Sequence, residues 1–166
     1  MAIDAILNYF ATYGLILLFV IVFLEYLNLP GLPAGIIMPA AGILASRNDE
    51  SLSLVVFISV LAGVLGSIVL YFIGYYGGFM ILDKMGKKFQ KLQPTIKKSS
   101  DILRERGFFG IFISRLLPVL RTIVSIIAGS VRVNFFKFLV YSIPGIFLWN
   151  LCFIFMGYFL GDMLLK

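Results

Sequence analysis

The sequence has no histidine and only one cysteine among its 166 residues. The lack of histidine removes the commonest general base and the commonest metal ligand. A single cysteine, Cys152, excludes an intrachain disulfide, and its place in an apolar run is typical of a small buried residue rather than a nucleophile. The sequence also offers no paired carboxylates. It therefore predicts a protein that is not an enzyme and that holds no metal and no cofactor.

Charged residues are scarce as well. They make up 13% of the chain, whereas 61% of its residues are hydrophobic. A soluble globular domain usually has about 25% charged and about 45–50% apolar residues. Together with a mean hydropathy of +1.04, this composition predicts an integral membrane protein, and the length suits one compact domain, residues 1–166.

The few charges are unevenly distributed. Residues 83–106 contain eight Lys/Arg and three Asp/Glu, so this one loop carries most of the net charge of +6. A cluster of this kind typically marks the cytoplasmic side of a membrane protein and can touch anionic headgroups. Because the positive charge lies in a membrane-side loop, it argues against a nucleic-acid partner.

Three uncharged runs are long enough to cross a hydrocarbon core as helices, which takes about 20 residues. They are residues 5–24, 52–82 and 138–161. No basic segment precedes the first run, so we expect a retained helix rather than a signal peptide. Glu25 follows this run directly, and the sequence leaves open whether its carboxylate lies at the interface or deeper and paired. The glycines of the second run offer a packing face, which a second copy of the chain could also use.

Two further apolar stretches are too interrupted to cross as plain helices. Residues 29–46 are uncharged but contain three prolines and three glycines, and residues 113–129 place Arg115 and Arg121 on either side of Pro118. Arginine cannot shed its charge, and charged side chains at membrane depth usually face a cavity, a partner or a substrate. Because irregular backbone at depth needs protein or water around it, we expect both stretches to be re-entrant hairpins that line a cavity.

The two halves of the chain carry the same marks in the same order. Leu-Pro, Ala-Gly and Gly-Tyr pairs occur at residues 29–30, 41–42 and 74–75, and again at 117–118, 128–129 and 157–158. The halves extend over about residues 5–82 and 94–161, with the basic loop 83–106 at their junction. With that loop inside, the second hairpin would enter from the cytoplasm and the first from outside. The expected fold is therefore all-α, with transmembrane helices and two opposed re-entrant helical hairpins in an inverted repeat.

These segments resemble the bacterial DedA family, whose core is also called the VTT or SNARE-associated domain. The most specific match is F-x-x-R-x-x-P-x-x-R, formed by Phe112, Arg115, Pro118 and Arg121. The other matching segments cover nearly the whole chain in order: FLEYLNLPGLPAG, AAGILAS, YFIGYYGG, KMGKKFQKL, ERGFFGIFISRLLPVLRTIVSIIAG and GIFLWN.

The resemblance implies a multi-pass protein of the bacterial cytoplasmic membrane that moves phosphate-bearing lipids between leaflets, as a flippase or scramblase. It implies substrate-binding roles for Arg115, Arg121 and Glu25. The favoured lipid is a phospholipid such as phosphatidylethanolamine, and undecaprenyl phosphate is the alternative. The broken segments would supply the backbone donors and the mobility, through these hairpin and gating residues: Pro30, Pro33, Gly35, Gly42, Pro118 and Gly129.

One departure from the family weakens proton coupling. Many members have an acid after the proline-glycine pair of the first hairpin, where this chain has Pro33-Ala34-Gly35. A proton-coupled transporter of small solutes is therefore the weaker alternative. A second alternative is structural, in which Arg115, Arg121 and Glu25 form a buried ion pair or reach back to the interface.

Overall fold

The computed structural model describes residues 2–27, 34–47, 51–88, 93–118 and 120–164. Within these ranges the chain is helical and has no strand, in agreement with the predicted all-α class. The helices are α1 (Ala2–Tyr26), α2 (Ala34–Arg47), α3 (Leu52–Lys88), α4 (Gln93–Arg106), α5 (Phe109–Arg115), α6 (Leu120–Ser130) and α7 (Phe135–Leu164).

Two of the described helices are long and apolar enough to cross a membrane. Their candidate spans are Leu52–Gly78 in α3 and Phe135–Gly161 in α7, each of 27 residues, and α1 adds the shorter apolar segment Gly14–Tyr26. Large apolar side chains point outward from both long helices, among them Phe57, Phe72, Tyr76, Phe136, Val140 and Phe155. Such outward faces would be costly in water and suit a hydrocarbon solvent.

The helix bounds refine the sequence prediction at their ends. The stretch Leu52–Lys88 consists of two helical segments that meet at a kink, because Gly78 between them takes a non-helical conformation (φ 53°, ψ −154°) that glycine adopts readily. Alternating apolar and charged residues from Ile96 to Arg106 predict a short amphipathic surface helix after a break at Pro94, and helix α4 covers this segment but begins three residues earlier, at Gln93. Pro94 lies in its first turn, where a missing backbone N–H costs nothing, so the expected break is a helix start.

The chain divides into two compact units. The first comprises Met1–Gly63 and Asn150–Lys166, and the second comprises Val64–Trp149. In the first unit, α2 crosses the last part of α7 at Gly42 and Gly157. A Cβ on Gly42 would overlap the carbonyl oxygen of Ile154 and lie 2.7 Å from the backbone nitrogen of Tyr158. Only glycine therefore permits this backbone approach.

The second unit is built around α6, whose residues 123–130 are all buried. Helix α4 packs on α5 and α6 through an inner side that includes Ser99, while Lys97, Lys98 and Arg104 stay exposed. Helix α6 also crosses α3 at Gly129, where a Cβ would overlap the carbonyl oxygen of Tyr71 and lie 2.8 Å from the backbone nitrogen of Tyr75. The buried helix α6 is thus in contact with α3, α4 and α5.

Specific hydrogen bonds fix the end of α6 and the start of α7. The backbone N–H of Val133 donates to the carbonyl of Ala128, and Arg132 between them takes φ 55°, the left-handed end common to helices. The Tyr71 hydroxyl donates to the Val133 carbonyl. Asn134 then caps α7, because its Oδ1 accepts from the backbone N–H groups of Phe136 and Lys137.

The two interrupted stretches contain short helices, as their composition predicts. Helix α2 has 14 residues and α6 has 11, which at about 1.5 Å per residue is well below the ~30 Å hydrocarbon core. Neither helix can span alone. Pro30 and Pro33, two of the predicted hairpin residues, lie outside the described residues, and the re-entrant path of each stretch stays a prediction.

Candidate functional site

The sequence motif around Pro118 forms the break between α5 and α6. Helix α5 ends at Arg115, and short-range hydrogen bonds from Leu116 to Ile113 and from Leu117 to Ser114 tighten its last turn. Helix α6 then begins at Leu120, so Arg121 lies in its first turn. Pro118 itself is exposed. The helix breaker therefore places one arginine at the end of a helix and the other at the start of the next.

Arg115 is buried, with 1% of its surface exposed. Its Nη1 donates to the backbone carbonyl of Arg121 at 2.7 Å, which ties the two arginines together across the break. Its Nη2 donates to the hydroxyl of Ser125 on α6 at 2.9 Å and to that of Ser142 on α7 at 3.2 Å. One guanidinium thus connects three helices of the second unit.

A glycine on α7 makes room for this arginine. A Cβ at Gly145 would lie 2.6 Å from Cβ and 3.0 Å from Cγ of Arg115, closer than side chains tolerate. The Phe138 ring, also on α7, lies with its centroid 5.6 Å from Cζ of Arg115, within the range of a cation–π contact. The sequence predicts a bend of the last helix at Pro144-Gly145; in the structure α7 continues through this pair as one helix, and Gly145 packs against Arg115.

Arg121 is also buried, with 2% exposed. Its Cζ lies 5.2 Å from the ring centroid of Trp149 on α7. Trp149 is the only tryptophan in the chain, and its position near the middle of the last apolar run predicts that it is not an interfacial anchor. Both predicted arginines therefore lie inside the second unit, each with its guanidinium beside an aromatic ring.

In the first unit, Glu25 is buried near the end of α1, with 5% exposed. The carboxylate is therefore enclosed by protein, and its depth in the membrane and its pairing stay predictions. The neighbouring Tyr26 donates its hydroxyl to Asn150 Oδ1 at 2.9 Å, and Asn150 Nδ2 donates to the Ser59 hydroxyl at 3.3 Å. A buried polar chain therefore links α1, α7 and α3 beside Glu25.

The predicted hairpin residues have different surroundings. Gly42 and Gly129 lie at backbone crossings that exclude any side chain, whereas a Cβ on Gly35 would meet nothing within 4 Å. Steric contact with neighbouring backbone thus explains why Gly42 and Gly129 are glycines, but it does not explain Gly35. Among the residues that the structure describes, no group of three or more His, Cys, Asp or Glu side chains could hold a metal ion.

Sequence reasoning missed four of the polar residues around these sites. They are Tyr26, Ser59, Ser125 and Ser142, all buried. Only Ser125 carried a usable signal, because it lies four residues after Arg121 and therefore on the same side of α6. The others meet their partners through contacts between distant segments, and isolated serines in apolar helices are too common to single out.

The chain resembles known proteins over most of its length. Residues 32–159 match the family profile described as VTT domain. "Protein DedA" of Escherichia coli is 30% identical over 87% of this chain and 68% of that protein. "Undecaprenyl phosphate transporter A" of Staphylococcus aureus is 29% identical over 95% of this chain and 79% of that protein. "Alkaline phosphatase-like protein" of Lactococcus lactis is 28% identical over 80% and 64%.

The chain spans from 62% to 79% of the length of such relatives. No solved structure matches it.

Proposed function

Because the chain belongs to the VTT-domain family, also called the DedA family, we propose that it moves a phosphate-headgroup lipid between the leaflets of a bacterial cytoplasmic membrane. The observation that carries this proposal is the buried pair Arg115 and Arg121, joined by a 2.7 Å hydrogen bond across a broken helix. Apolar helices that pack only for stability have no need of two permanent cations in their interior.

A lipid phosphate suits this pair chemically. Phosphate oxygens accept charge-assisted hydrogen bonds from guanidinium groups, and such bonds are stronger where water is excluded. In this mechanism the site opens, the headgroup displaces internal partners of the arginines, and the acyl tails stay in the bilayer. Glu25 is proposed to balance an arginine while the site is empty, and this role stays a prediction.

An internal repeat is part of the proposal, and matched positions support it. The candidate spans of α3 and α7 have the same length, and a shift of 83 residues brings Leu52 onto Phe135 and Gly78 onto Gly161. The same shift brings Gly74 onto Gly157. In the second unit a Cβ on Gly74 would overlap the carbonyl of Ile126, three residues before Gly129, and in the first a Cβ on Gly157 would overlap that of Pro39, three residues before Gly42.

Equivalent crossings within separate units favour two copies of one supersecondary motif. An inverted arrangement of these copies, with one hairpin entering from each face, is the transporter architecture that the sequence predicts. The basic loop would then lie in the cytoplasm, with the first hairpin entering from the opposite side.

The lipid itself is narrowed to two candidates that share a phosphate. The missing acid of the first hairpin favours passive or weakly coupled movement of a common phospholipid such as phosphatidylethanolamine, one of the lipids that the family resemblance implies. The name of the staphylococcal relative favours undecaprenyl phosphate. Because either lipid would present the same group to Arg115 and Arg121, both belong in one experiment.

The test is lipid exchange in liposomes that contain the purified protein. Headgroup-labelled phosphatidylethanolamine and a labelled polyprenyl phosphate are each followed with a membrane-impermeant quencher. We expect faster exchange of at least one lipid, and loss of the acceleration in Arg115→Ala and Arg121→Ala but not in Arg132→Ala, which changes an exposed arginine. Wild-type protein that accelerates neither lipid would refute the proposal.

The same liposomes separate the other functions. An imposed pH gradient should leave the exchange rate nearly unchanged, since the second acid of the first hairpin is missing; a strong dependence would favour the proton-coupled alternative. The name of the lactococcal relative makes phosphate release the enzyme activity to measure. We expect none from either lipid, and release that Arg121→Ala abolishes would instead assign an enzyme.

A further inference from the structure

Three oxygen atoms surround the end of the Arg115 guanidinium. The Arg121 carbonyl accepts from Nη1, and the hydroxyls of Ser125 and Ser142 both accept from Nη2. The two serines are almost wholly buried, with 0% and 1% exposed. Since both hydroxyls lie within hydrogen-bond distance of one nitrogen, they are also close to each other.

These two hydroxyls differ from those of three other serines in the described helices. In a helix, a serine commonly donates its hydroxyl hydrogen to the carbonyl three or four residues before it. Ser46, Ser59 and Ser130 do so, at 2.9, 2.8 and 2.8 Å. Among the described residues, Ser125 and Ser142 take part only as acceptors from Arg115. Each therefore keeps a buried hydrogen to donate.

A hydroxyl can accept one hydrogen bond and donate another at the same time. A buried donor without an acceptor costs free energy, and native structures usually supply its acceptor or reserve it for a ligand. The ligand that fits here is an anion with several acceptor oxygens, because it would meet the Arg115 N–H groups and two hydroxyl hydrogens together. A phosphate group is such an anion, with several acceptor oxygens around one centre.

We propose that Ser125 and Ser142 are phosphate-binding residues that complete the site around Arg115. With the site empty, their oxygens hold the guanidinium in place. When a lipid phosphate enters, it takes over the guanidinium N–H groups, and the two hydroxyls turn to donate to its oxygens. This inference rests on the proposed function and adds two neutral donors to its cationic site.

Trp149 supplies a direct measurement of binding. It is the only tryptophan in the chain, and its ring lies 5.2 Å from Arg121 Cζ, so a phosphate beside the arginines should change its fluorescence. The probe is a short-chain phosphatidic acid, titrated into purified protein in detergent. A short-chain diacylglycerol, which lacks the phosphate, is the matched ligand control and should give no saturable change.

We expect Ser125→Ala and Ser142→Ala each to raise the Kd for the phosphatidic acid about ten-fold, the effect of losing one hydrogen bond to a charged group. Ser142→Thr keeps a hydroxyl and should recover most of the affinity. Ser130→Ala is the matched protein control, since Ser130 is buried on α6, the helix of Ser125, and donates to backbone carbonyls. It should bind like the wild type.

Two further results keep the inference separate from folding and from the proposed function. In Ser142→Cys the new side chain is nearly isosteric with serine but is a poor hydrogen-bond donor. This variant should fold like the wild type but bind the phosphatidic acid more weakly than the wild type does. Wild-type affinity in Ser125→Ala and Ser142→Ala, alongside active lipid exchange, would overturn the inference and leave the proposed function standing. Wild-type protein that neither binds the probe nor accelerates exchange would remove both.

Discussion

Nη1 of Arg115 donates a hydrogen bond to the backbone carbonyl of Arg121 at 2.7 Å. The first arginine therefore holds the backbone that carries the second. Sequence alone gives the two arginines equal roles as a fork for an anion. The structure instead makes Arg115 the residue that joins α5 to α6 and α7, so a change at this position should affect stability as well as lipid exchange.

Arg115→Lys should lower both the stability of the protein and the rate of lipid exchange. A lysine keeps the positive charge, but its single ammonium cannot reproduce the planar fork that meets three oxygens at once. With at least one buried acceptor left without its donor, we expect the free energy of unfolding to fall by about 1–3 kcal/mol. The measurement is thermal melting in detergent, together with lipid exchange in liposomes.

Arg132→Lys makes the same chemical change at an exposed arginine and serves as the control. It should melt within a degree or two of the wild type, since exposed substitutions usually change stability by about 0.5 kcal/mol or less. Unchanged melting in Arg115→Lys would show that the three hydrogen bonds do not stabilise the hairpin.

The glycine crossings give a second prediction. Gly42→Ala and Gly129→Ala each place a methyl group against backbone atoms of a neighbouring helix. Backbone cannot move aside as a flexible side chain can, so we expect losses of about 1–3 kcal/mol or more. The melting temperatures of both variants should fall clearly below that of the wild type.

Gly35→Ala provides the matched comparison, because a Cβ there would meet nothing within 4 Å. Gly35 lies in the first turn of α2, and alanine favours helix over glycine by up to about 1 kcal/mol. This variant should therefore melt at the wild-type temperature or slightly above it. Equal destabilisation of Gly35→Ala and Gly42→Ala would argue against the close crossing.

The polar chain in the first unit should behave as a coupled set. Tyr26→Phe removes the donor to Asn150, and Asn150→Leu removes the acceptor for Tyr26 and the donor to Ser59. Each change should destabilise the protein by about 1–3 kcal/mol. The loss of unfolding free energy in the double variant should be about 1 kcal/mol smaller than the sum of the two single losses, since the two changes remove the same hydrogen bond.

Additive losses in this double-mutant cycle would mean that the 2.9 Å contact between Tyr26 and Asn150 contributes nothing. Ser46→Ala is a suitable reference, because within the described ranges that hydroxyl donates to Ile43 in its own helix. It should show no coupling to Tyr26→Phe.

The sequence predicts the local features of this protein better than the distant ones. Arg115, Pro118 and Arg121 indicate a broken apolar helix because charge and proline act within a few residues, and the break lies where they predict it. The contacts of Arg115 with Ser142 and Gly145 depend on where α7 crosses, some 30 residues along the chain. No local pattern encodes that crossing.

The same limit applies to the first unit. Glu25 is buried because other segments of the chain pack around the end of α1. The apolar residues next to Glu25 in the sequence are compatible with burial but do not determine it. Tyr26 pairs with Asn150, 124 residues away. The sequence also does not determine where α4 begins, since Pro94 is equally compatible with a break and with the first turn of a helix.

The orientation of the chain gives the last prediction. Cys152 is the only cysteine in the sequence, and it is exposed on α7 rather than buried as the apolar run predicts. Cys152→Ser therefore yields a background in which single cysteines can be placed. Ser51 and Asp101 are exposed, before α3 and in the basic α4. If the basic loop is cytoplasmic, a membrane-impermeant maleimide should label Ser51→Cys in intact spheroplasts but label Asp101→Cys only after lysis. Labelling of both positions from the same side would contradict the odd number of crossings between them, and with it the inverted repeat.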